Sequence, residues 1–116
     1  MIGLLERLGG PPAVHAAVDQ LYRRVLADPA LAPYFDGVDL HRQRGHMTDV
    51  LVLVLGGHAQ PVALEAAHAR LHLTDDVFDR TAGHLLDTLA DLAVDPTVID
   101  DVIARVAALR PQILGP

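Results

Sequence analysis

Apolar side chains recur along this chain at steps of three and four, the repeat of a helix that buries one face. Residues 2–8 predict a short first helix, stopped by Gly9-Gly10. Pro11-Pro12 stands where a second helix opens, because proline is tolerated in a first turn. Val14, Ala17, Val18, Leu21, Tyr22, Val25 and Leu26 then form one long apolar stripe, broken by Asp28-Pro29. Ala30 to Phe35 reads as a tight turn or 3₁₀ segment, closed by Asp36-Gly37, and Asp39 caps the helix that follows. That helix runs to Leu55 and stops at Gly56-Gly57. Its stretch Val50-Leu51-Val52-Leu53-Val54-Leu55 resembles a strand in isolation, but Leu40, Gln43, Met47, Val50, Leu51 and Val54 continue one helical face from upstream.

The second half follows the same rule. His58 to Val62 reads as a loop, and Ala63 to about Leu71 as a short helix. Thr74 caps a helix with Asp75 and Asp76 in its first turn, where acids favour the helix dipole. Phe78, Thr81, Ala82, Leu85, Leu86 and Leu89 form its predicted inner face. Asp95-Pro96 opens a last helix with core positions Ile99, Val102, Ile103, Val106 and Leu109, weakened near its end by Pro111. No hairpin signal and no convincing alternating pattern occurs. The class is all-α, about six helices of unequal length in one domain spanning residues 1–116. A short helix between two long ones is less bundle-like than four equal antiparallel helices.

Composition narrows the chemistry. With no cysteine, thiolate zinc sites, iron–sulfur clusters, disulfides and cysteine nucleophiles are excluded. No serine occurs, so a serine triad is excluded as well. Glycine-rich phosphate loops, H-E-x-x-H and calcium-loop patterns are missing. The net charge of -6, with scattered basic residues, argues against nucleic acid as a partner. The opening Met1-Ile2-Gly3-Leu4-Leu5-Glu6-Arg7 is too short and polar for a secretory signal. The longest apolar run falls far below the roughly 20 residues that span a bilayer. The chain therefore reads as soluble and cytoplasmic, with no membrane partner. Hydrophobic residues make up 51% of it but aromatics only 3%, which fits a fold with a large planar ligand at its centre.

Two histidines stand in apolar helical settings: His46 beside Met47 and Val50, and His68 among Ala66, Ala67 and Ala69. Gln43, His46, Met47, Val50 and Val54 share one face, half core and half pocket wall. Each of these histidines, taken singly, reads equally as an ordinary helix residue. Tyr22 reads as a core tyrosine or a donor aimed into a pocket, and Phe35 as core or a wedge. His15, His41, His58, His72 and His84 are read as surface.

Taken in order, these residues resemble the group I truncated hemoglobins, over nearly the whole chain. The motifs are Leu8-Gly9-Gly10; Leu21-Tyr22-Arg23-Arg24-Val25-Leu26-Ala27-Asp28; Phe35; Gln43-Arg44-Gly45-His46 with Gly56-Gly57; and Ala67-His68. The resemblance implies a two-over-two helical globin fold around heme b (iron protoporphyrin IX). It implies His68 as the proximal iron ligand and Phe35 stacked on the macrocycle. Tyr22 would be the distal hydrogen-bond donor, assisted by Gln43. Met47, Val50, Leu51, Val54, Leu64, Phe78, Thr81 and Leu85 would line the cavity. The residue at the position of His46 binds iron directly in some relatives, which would lower apparent gas affinity by the fraction of sites it closes. Other arrangements turn His46 out to solvent or a propionate, or use Met47 as the axial ligand.

The chain departs from the family pattern in three places. His58-Ala59-Gln60-Pro61-Val62 is shorter than usual and lacks a Tyr-x-Gly element. Val50 replaces a common aromatic, and Met47 a common polar residue. These departures predict a more open, more apolar distal side. The implied function is reversible binding of dioxygen, nitric oxide and carbon monoxide, and oxidation of nitric oxide to nitrate with an external reductase. A bis-histidyl electron-transfer or sensing protein is the alternative. A heme-free interaction module would show no Soret band.

Overall fold

Among the described residues, five α-helices and one 3₁₀ turn follow the capping signals closely: α1 (Leu4–Leu8), α2 (Pro11–Ala27), the turn Ala32–Phe35, α3 (Leu40–Val54), α4 (Asp75–Asp91) and α5 (Pro96–Ala107). The computed structural model describes residues 3–56 and 74–111, and no strand occurs among them. The loop and short helix expected over 58–71, with Leu64 and His68, lie outside the described residues.

Local chemistry sets the boundaries. Gly9 ends α1 at φ 124°, donating its N–H to Leu5 and Glu6 carbonyls. A Cβ there would stand 2.9 Å from that of Ala13, so the turn requires glycine both for its backbone and for the approach of α2. The Asp39 carboxylate accepts from Arg42 N–H, the Thr74 hydroxyl from Val77 N–H, and the Asp95 carboxylate from Thr97 N–H. Helix through Val50–Val54 follows from the cap upstream and the unbroken register behind it.

α2 packs on both α3 and α4, α4 packs on α5, and α1 packs on α5. The result is two helix pairs, α2–α3 and α4–α5, laid on one another. Leu21, Leu31, Leu89, Val14, Val18, Val25 and Val102 are fully buried where they meet. Each such side chain stabilises the fold by roughly 1.5–3 kcal/mol.

Two expected faces need correction. Leu86, assigned to the inner face of α4, is 41% exposed, while Thr88 is 0% exposed. Leu86 lies one residue beyond Leu85 and so rotates about 100° out of the stripe. Thr88 can be buried because its hydroxyl donates to the His84 carbonyl at 2.8 Å. On α5, Val98 is buried with Ile99 and Val102, and Ile103 and Val106 pack at the core's edge.

Candidate functional site

The packing of α2, α3 and α4 leaves a cavity with about 840 Å³ of empty space, open mouth included. Helical period brings its walls together. α2 supplies Leu21, Tyr22 and Val25; the 3₁₀ turn supplies Phe35; α3 supplies Gln43, Met47, Val50 and Leu51. α4 adds Val77, Phe78, Thr81, Ala82 and Leu85, and Val106 and Leu109 close the α5 side.

Among the described lining residues, three side chains are polar. Thr81 is already committed, since its hydroxyl donates to the Val77 carbonyl at 2.8 Å. The remaining two, Tyr22 and Gln43, face each other from α2 and α3. Tyr22 is 2% exposed. Burial pushes its phenol up to about 12, while the Gln43 side chain beside its hydroxyl and the Arg44 charge pull the other way. Its ring meets Phe35 edge to face, 5.7 Å between centroids at 84°. The turn that carries Phe35 therefore also holds the tyrosine ring.

Of the residues expected at the site, Tyr22, Phe35, Gln43, Met47, Val50, Leu51, Phe78, Thr81 and Leu85 meet around this one cavity. His46 is half-buried on α3 and, like Val54, is not among the lining residues. The Val54 carbonyl instead accepts from Arg105 at 3.0 Å. Leu21, Val25, Val77, Ala82, Val106 and Leu109 were read as core or passed over, yet they face the cavity. Periodicity marks an inner stripe but cannot separate a wall from a filled core.

His15 is exposed near Asp19, and His41 is exposed. His84 differs from the surface reading. Its Nε2 lies 2.9 Å from Asp28 Oδ2, with only 24% of its side chain exposed, and so ties α4 to the end of α2.

No group of three or more His, Cys, Asp or Glu among the described residues could hold a bare metal ion. The described walls are aliphatic and aromatic, with Tyr22 and Gln43 as a polar pair among them, a lining that suits a largely apolar cofactor bringing most of its own metal ligands.

Comparison with known proteins agrees with the helical fold. Residues 3–114 match the family model described as bacterial-like globin. The chain is 41% identical over 116 residues to a group 1 truncated hemoglobin of Chlamydomonas moewusii, covering 97% of this chain and 68% of the relative. It is 33% identical over 117 residues to that of Nostoc commune, covering 99% of each. Among solved structures, the truncated hemoglobin of Tetrahymena pyriformis superposes with a TM-score of 0.91 at 32% identity, covering 99% of this chain and 100% of that one. The 2/2 hemoglobin of Synechococcus sp. PCC 7002, in its cyanomet state with covalently attached heme, gives 0.92 at 34% identity over 99% and 100%.

Proposed function

This chain belongs to the group 1 truncated hemoglobins, a heme-binding family, and from that premise we propose that it binds diatomic gases reversibly with His68 as proximal iron ligand and Tyr22 as distal donor. Heme b supplies an iron centre for gas ligands and one-electron chemistry. The chain's own residues supply orientation, a proton held in place, and a dry wall.

The observation that carries the reading is the Tyr22–Gln43 pair, polar side chains that meet each other among otherwise largely apolar described walls. A phenol that burial pushes up to about 12 keeps its proton at physiological pH, so Tyr22 has a hydrogen to donate. Gln43 orients that hydroxyl, Phe35 holds its ring and would pack against bound heme, and Met47, Val50 and Leu51 would exclude water. His68 is carried by its Ala67-His68 sequence context and the family's ligation pattern.

A hydrogen bond to a charged partner contributes about 1.5–3 kcal/mol, so Tyr22→Phe should speed dioxygen dissociation by roughly 10- to 100-fold. A change under about twofold removes Tyr22 from the role. The second part of the proposal is oxidation of nitric oxide by dioxygen to nitrate. Bound heme would supply the one electron that the conversion needs, and an external reductase would restore it. Stoichiometric nitrate on mixing nitric oxide with the oxygen-equilibrated ferrous protein is the expected result, and no nitrate abolishes that activity. The alternative, a bis-histidyl electron-transfer or sensing protein, draws on His46, one helical turn from Gln43 on α3. It requires low-spin ferric bands that vanish in His46→Ala. No described helix is long and apolar enough to cross a membrane, and a cytoplasmic location is part of the proposal.

A further inference from the structure

Phe78 lines the cavity and is buried to 7% exposure, and its ring carries a second neighbour. The Arg110 guanidinium stands over the ring, 4.5 Å from the ring centroid. The same guanidinium reaches back to the start of α4. Its Nη1 donates to Asp75 Oδ1 at 2.8 Å and its Nη2 to Asp79 Oδ1. Asp75, Phe78 and Asp79 lie three and four residues apart on one helical face, so one planar cation engages all three at once. Leu109, the residue before Arg110, lines the cavity as well. The wall between α4 and α5 is thus an aromatic ring with a salt-bridged arginine pressed against it.

We infer that Arg110 is a positioning residue that holds Phe78 and Leu109 as the cavity wall and thereby sets the size of ligand admitted. The inference rests on the cavity being the gas-binding heme site. Cation–π contact and a two-carboxylate fork hold the guanidinium over one face of the ring. The holding charges are nevertheless in water: Asp75 and Asp79 side chains are 78% and 62% exposed. Exposed ion pairs are weak and salt-screened. The strap therefore yields to a ligand that needs room, and it yields more readily as salt rises. Small diatomics pass without moving it.

The test compares association of carbon monoxide and of n-butyl isocyanide with the ferrous heme-loaded protein, at low and high salt, for the parent, Arg110→Gln and Arg110→Lys. Gln removes the charge and the stack. Lys keeps the charge but loses the planar fork. The expected result is isocyanide association faster by about three- to tenfold in Arg110→Gln, with an intermediate effect in Arg110→Lys and carbon monoxide changed less than about twofold. Salt should move the parent in the same direction and leave Arg110→Gln flat. Equal changes for both ligands, or none, overturn the inference. Amide hydrogen exchange on the protein as isolated reads the strap independently of heme. Protection of the first two turns of α4 should fall about tenfold in Arg110→Gln. Unchanged protection overturns the strap itself. A protein that takes up no heme yet shows the lost protection refutes the gas-binding reading and the ligand-size role with it, and leaves the strap standing.

Discussion

At Tyr22 the pH dependence follows from burial. The folded phenol ionises near 12 and the unfolded one near its ordinary value of 10.0, so the native state keeps a proton that the unfolded chain has lost. Stability is therefore full below the unfolded value and falls as pH rises between the two, by about 3 kcal/mol for a shift of that size. Urea midpoints measured across that range should drop for the parent and drop much less for Tyr22→Phe. Parallel curves contradict the assignment. Tyr22, Phe35 and Gln43 could be singled out in the sequence because each is an unusual side chain at a core-facing position. His84 could not. Its partner, Asp28, lies 56 residues away, and no local spacing announces that contact.

At the scale of elements, punctuation was the readable part. Thr74, Asp39 and Asp95 all cap where their side chains and the following residues predicted. Thr74→Ala should cost about 1 kcal/mol by denaturant unfolding, with the slope unchanged. Faces were read less well, because hydropathy favours Leu86 over Thr88 and takes no account of a hydroxyl that bonds its own helix. Around its buried apolar contact, the α2–α4 crossing also carries ion pairs, Arg24 to Asp91 and Asp28 to His84 and Arg80. The His84 ring and the Ala30 N–H, with Arg80 nearby, hold the Asp28 carboxyl below the usual carboxylate range. A depressed acid stabilises above its unfolded pKa and loses that contribution as pH falls through its folded one. Asp28→Asn should thus be less stable than the parent near neutrality, with the gap closing below about pH 4. A gap that is constant with pH contradicts this.

For the whole molecule, the scarcity of aromatics and the apolar cavity between two helix pairs express one fact. The volume at the centre of the fold is lined by side chains rather than filled by them. Sequence pattern could mark the helices around that volume but not the volume itself. Length and period are the same whether a stripe meets another helix or a ligand. Only the ordered set running from Leu8-Gly9-Gly10 to Ala67-His68 pointed to heme, and it did so by resemblance. Since a ligand that binds only the folded state stabilises it, heme loading should raise the melting temperature, and heme extraction should lower it. The most direct test of the central claim is the carbon monoxide difference spectrum of the purified, heme-reconstituted protein after reduction. A Soret band that sharpens and shifts on adding carbon monoxide, and that is lost or strongly altered in His68→Ala, is the predicted result. A protein that retains no Soret absorption, or whose reduced spectrum ignores carbon monoxide, would contradict a gas-binding heme pocket.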